Sequence, residues 1–131
     1  MKKLLSLSAV LIVLLLITES CSKKEFELVN TWKNTKVRQE VFYGNNWFAV
    51  NDSGEGKVTF REDKSGTSTT GGFVDGDFTW TLTNDILTVT RANHARIYKL
   101  TTMEYDTMVA ERDTRDEDGN GELFIFTFAL E

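Results

Sequence analysis

Proline is missing from this chain of 131 residues, and cysteine and histidine occur once each. Without proline, the tight turns fall to glycine, asparagine and aspartate, which reach positive φ or bond their own backbone. The single cysteine allows no internal disulfide, so stability has to come from a hydrophobic core. The one histidine, His94, sits between Asn93 and Ala95 without companions for a metal or haem set, and reads as an exposed turn residue. Basic residues number 15 against 20 acidic ones, a net charge of −5. That surplus of acid argues against nucleic acid and against electrostatic docking on anionic lipid. Catalytic signatures are missing too. There is no serine elbow, no phosphate-cradling glycine loop and no zinc motif, and no spacing among the acids selects a catalytic pair. The expectation is a protein that is not an enzyme and carries neither cofactor nor resident metal.

What is present begins with an apolar run from Leu4 to Ile17 behind Met1-Lys2-Lys3. A basic start followed by such a run is the make-up of a secretory signal. A membrane-spanning helix needs about 20 apolar residues, and Glu19 ends this run early. Cys21 follows at once, with the small residue Ser20 before it. This arrangement resembles a bacterial lipoprotein lipobox, in which the cysteine becomes the lipidated first residue of the mature chain. Ordinary cleavage after Ser20 is the rival reading. The chain thus divides into a lipoprotein signal peptide (1–20), a lipidated cysteine with a short tether (21–26) and one domain (27–131). Acyl chains contribute about 0.8 kcal/mol per buried methylene, enough in sum for a stable anchor. The expected place is the bacterial outer membrane, facing the periplasm or the cell surface.

After the leader the pattern is one of strands. Val37 and Val41 point one way while Lys36, Arg38 and Glu40 point the other. Gly44-Asn45-Asn46 turns the chain into Trp47-Phe48-Ala49-Val50, and residues 51–56 turn it again. Val58 and Phe60 share the next inward face, and Asp63-Lys64-Ser65-Gly66 is hairpin chemistry with Gly66 at the expected positive φ. The polar, glycine-rich stretch 67–72 suits a strand at the rim or a flat, weakly packed wall. Phe78, Trp80 and Leu82 then alternate with Thr79, Thr81 and Thr83, and Asn84-Asp85 turns into Leu87 and Val89. Two further strands, 96–100 and 106–112, place Tyr98, Leu100, Met108 and Ala110 inside. In the last one, 123–130, Phe124, Phe126, Phe128 and Leu130 share a face while Leu123 and Ile125 take the other, which calls for cover on the outer side. Eight or nine short strands joined by hairpins must hide their edges, and closure removes them. The expected fold is therefore all-β, an eight- to nine-stranded antiparallel up-and-down barrel, with residues 26–32 plugging one end.

Several of these segments together resemble the lipocalin-like domains of Bacteroidetes lipoproteins. They are Val29-Asn30-Thr31-Trp32, the hairpin from Thr59-Phe60-Arg61 to Ser65-Gly66-Thr67, Phe78-Thr79-Trp80-Thr81-Leu82 with Asp85-Ile86-Leu87-Thr88-Val89, and Tyr98-Lys99-Leu100-Thr101. The resemblance covers residues 26–131 and departs at Asn30, where lipocalins place glycine. It implies a fold and a location, and no catalytic set.

Function then turns on the barrel's inside. Trp32, Phe48, Phe60, Phe78, Trp80, Phe126 and Phe128 either line a cavity for a small apolar ligand, in the barrel or at its mouth, or simply fill the core. If they fill it, an interaction or accessory module working through the outer surface is the alternative. Asp116-Glu117-Asp118-Gly119-Asn120-Gly121 opens like a calcium loop, but the twelfth position is Thr127 where a bidentate glutamate belongs, so it reads as an acidic hairpin loop.

Overall fold

A computed structural model describes residues 24–131; the leader and Cys21 lie outside the described residues. Nine antiparallel strands follow one another: β1 (Thr31–Tyr43), β2 (Asn46–Ser53), β3 (Lys57–Phe60), β4 (Ser65–Ser68), β5 (Gly76–Thr83), β6 (Ile86–Arg91), β7 (His94–Met103), β8 (Thr107–Asp113) and β9 (Gly121–Leu130). Each pairs with its neighbour in sequence from β3 to β9, and β9 returns to β1. Eight strands thus close into a barrel without a crossover, and β2 is an extra ninth.

The place of β2 follows from a change of partner along β1. Its first residues, Thr31 to Lys33, pair with β3, and from Lys36 to Tyr43 it pairs with β2 on that same side. The ladder carries across the break through Asn34 N–H to the Gly56 carbonyl and Gly54 N–H to the Thr35 carbonyl. Opposite this break the β1–β9 register also shifts, between Asn34 and Lys36. Such bulges bend a strand and sharpen its twist. Asn34 locks the bend: its Nδ2 donates to the Thr127 carbonyl and its Oδ1 accepts from Glu55 N–H, which satisfies a fully buried amide. Beyond the bend the β1–β2 hairpin runs past the barrel wall, turning at Gly44 with φ 59, the glycine-first arrangement of a type II′ turn.

Two expectations change. Gly66 lies within β4 and the positive φ of that hairpin belongs to Lys64, at 68°. Glycine is needed at 66 for space, because a Cβ there would overlap the Phe78 ring and the Thr59 carbonyl. The expected wall at 67–72 is also shorter, since β4 ends at Ser68. Residues 69–75 leave the sheet and fold inward, burying Phe73 and Val74 at one end of the barrel.

The other end closes as the sequence suggests. Residues 24–28 are helical, Leu28 is buried, and the indole Nε1 of Trp32 donates to the Leu28 carbonyl at 3.0 Å. Exposed ion pairs from Lys24 to Asp85 and from Lys64 to Glu25 join this turn to the barrel, while the Phe26 ring beside them is exposed. On the outer side of β9, Leu123 and Ile125 are half-buried, standing in register beside Glu40 and Arg38 of β1 and Asp113 and Glu111 of β8.

Candidate functional site

Six of the seven residues named for a cavity meet inside the barrel. Trp32, Phe60, Phe78, Trp80, Phe126 and Phe128 belong to one core cluster and are all buried. Period-two alternation on β1, β3, β5 and β9 aims them there. Phe60 meets Phe78 and Trp80 edge-on, at centroid distances of 5.5 and 5.7 Å. The indole of Trp80 donates to the Ser65 carbonyl, so its one polar atom is satisfied.

Phe73 completes the filling. Its ring sits edge-on to Phe126 and Phe128 at 5.4 and 5.3 Å and lies against Tyr98 at 4.3 Å. Its carbonyl accepts from the Tyr98 hydroxyl and from Arg96 Nη1. Burial is the main cause that pushes the Tyr98 phenol up, partly offset by Arg96 and Arg112 beside it, so the hydroxyl stays protonated and donating. The barrel interior is occupied by apolar side chains from seven strands and by a plug from residues 69–75. Sequence reading missed Phe73; the available signal was an apolar pair, Phe73-Val74, set between glycines in a polar stretch.

Phe48 does not join the others. It stands 55% exposed on β2, because the bend at Asn34 takes that strand out of the barrel wall. Its companions are Trp47, also 55% exposed, with Tyr43 and Val50. Apart from a half-buried Ala49, all of β2 is exposed. Among the described residues β2 pairs with β1 alone, so its far edge is open. Gly54 N–H bonds to Thr35, and alternation along an antiparallel ladder then turns the N–H and C=O groups of Trp47, Ala49, Asn51 and Ser53 toward that open edge.

The acidic loop is bound up in its own turn. Asp116 Oδ1 accepts from the backbone of Asp118 and Asn120, and Asn120 Oδ1 accepts from Gly44 N–H at the tip of the β1–β2 hairpin. Arg115 lies 5.0 Å over the Phe42 ring and pairs with Asp113, whose carboxyl it holds below the usual carboxylate range. Among the described residues no three His, Cys, Asp or Glu side chains are grouped to hold a metal ion. His94 is exposed at the β6–β7 turn, beside Arg91 and Arg96 in a recess at the plugged end.

Among the described residues, fold and surface together define a closed antiparallel β-barrel with an aromatic-filled core and an apolar edge strand, β2, that pairs on one side alone. Compared with protein-family models, curated proteins and solved structures, the chain has no match.

Proposed function

We propose that this protein is a non-enzymatic binding barrel of the bacterial envelope, held at the outer membrane by lipid on Cys21, which captures an extended segment of a partner protein along β2. The observation that carries this reading is the edge itself. Barrels exist to abolish edges, and proteins that keep one blunt it with short strands, lysines or proline. β2 has eight residues, exposes Trp47, Phe48 and Val50, and bears Asp52 as its only charge. A strand added there gains main-chain hydrogen bonds from Trp47, Ala49, Asn51 and Ser53, with the aromatic side chains gripping it from both faces. The packed interior supports the same choice, since a ligand inside the barrel would have to displace Phe73.

Ala49→Pro deletes an edge-facing N–H and leaves the β1 ladder intact. A photo-crosslinking residue at Asn51 in the full chain should yield a discrete protein adduct in cells. The same residue at Thr81, on a strand paired on both sides, should not. Ala49→Pro should abolish the adduct while the thermal midpoint holds. An adduct that survives the proline, or none at all from Asn51, would remove the edge reading. The anchor is checked separately by fatty-acid labelling, which should disappear in Cys21→Ser.

A further inference from the structure

We infer that the recess at the plugged end of the barrel is a binding site for a small organic anion, a carboxylate or phosphate monoester on a short apolar body. This goes beyond the edge-strand reading and does not depend on it. The recess measures about 330 Å³ and lies between residues 72–75 and the β6–β7 hairpin. That size is at the small end of ligand sites, enough for one ring or a short branched chain.

Its floor is apolar and its rim is basic. Val74 and Val89, both buried, make the floor. Arg91 and His94 are opposite one another in register, and Arg96 is opposite Val89, so all three project from the inward face where the barrel opens. The turn between them, Ala92-Asn93, has positive φ at both residues, which keeps the hairpin tight and the two arginines close. Arg96 is fixed in place, its Nη1 donating to the Gly72 and Phe73 carbonyls at 3.1 and 2.8 Å. A guanidinium has five N–H groups, so donors remain.

Arg91 is the informative residue. Its guanidinium lies over Gly76, 3.2 Å from where a Cβ would stand, and Gly76 has φ 89, a conformation that favours glycine. Yet it has no hydrogen-bond or ion-pair partner among the described residues. Asp75 also lines the recess and forms no ion pair with either arginine. Two guanidinium groups against one carboxylate make the recess positive in a chain whose net charge is −5. Planar guanidinium groups favour carboxylate and phosphate, and a valine floor favours the organic part of the ligand over a bare ion.

Calorimetric titration of the full chain in a non-ionic detergent tests this with four probes: benzoate, phenyl phosphate, inorganic phosphate and benzyl alcohol. Benzoate or phenyl phosphate should bind at least about tenfold more tightly than the alcohol or the inorganic ion, and whichever is tighter identifies the head group. Arg91→Gln, at an exposed and unpartnered side chain, should weaken that binding about tenfold, and Arg61→Gln, on the far end of the barrel, should not. Failure of both organic anions to bind would overturn the site. So would equal affinity for benzyl alcohol or inorganic phosphate, or equal losses in the two variants. None of these outcomes bears on crosslinking at β2.

Discussion

Replacing Phe73 by alanine asks whether the barrel is filled in solution. The ring is fully buried, lies against Tyr98, and meets Phe126 and Phe128 edge-on. Removing it takes away a large apolar transfer term and three aromatic contacts, and leaves a hole that the rigid strands around it close only in part. Phe→Ala changes of this kind cost about 3–5 kcal/mol. The two hydrogen bonds accepted by the Phe73 carbonyl are backbone bonds and survive the change, so the loss reports packing. A domain of this size has about 5–15 kcal/mol in all, so the variant should remain folded but be much weakened. At a urea slope near 2 kcal/mol per molar, the midpoint should fall by roughly 2 M.

Tryptophan fluorescence is the natural readout. Trp32 and Trp80 are buried, and a Trp47→Phe background removes the one exposed indole. A second signal follows from the hole itself, since apolar cavities stay dry and take up small apolar molecules such as benzene. Benzene should stabilise Phe73→Ala and leave the parent unchanged. A loss below about 1 kcal/mol, in the range of ordinary surface substitutions, would mean that residues 69–75 stand open and that the interior is a pocket with a lid. Stabilisation of the parent by benzene would lead to the same conclusion.

Two further outcomes can be checked on the same protein. Thr70 buries its hydroxyl with no partner among the described residues, a defect worth about 1–3 kcal/mol, so the isosteric Thr70→Val should unfold at the same or a higher temperature. A clear drop in thermal midpoint would show that the hydroxyl has a partner after all. Tyr98 has its phenol raised by burial, so its contribution to stability is complete below the ordinary phenol value of about 10 and is lost as pH rises through the higher folded value. Thermal midpoints should therefore fall above that pH more steeply in the parent than in Tyr98→Phe; parallel alkaline limbs would contradict it.

How much of this was legible in the chain differs from element to element. Phe78, Trp80 and Leu82 alternate so cleanly with threonines that β5 and its partner β6 could be drawn with the correct inward face, and their register bears this out. Residues 26–32 read as a plug at one end, and Leu28 and Trp32 are buried there. The Asn84 turn was readable because asparagine tolerates the φ of 55° it adopts. Gly66 misled, since glycine marks both a turn and a site where another side chain comes close, and composition does not distinguish them.

Local pattern thus determined that the chain forms hairpins, which face of most strands is apolar, and that the ribbon must close to hide its edges. Tertiary structure alone decided what each apolar face meets. Phe48 follows the same alternation as Phe60, yet one is exposed and the other buried, because the bend locked by Asn34 carries β2 past the wall while β3 stays in it. Phe73 has no strand pattern around it and is nonetheless at the centre of the packing at its end of the barrel. Arg91 and Arg96 are five positions apart in the sequence, and the turn at Ala92-Asn93 brings them to one face of the hairpin as diagonal neighbours. The reason is physical: a period of two fixes the direction of a side chain relative to its own strand, whereas burial depends on which distant segment closes over it, and that is settled only when the barrel is complete.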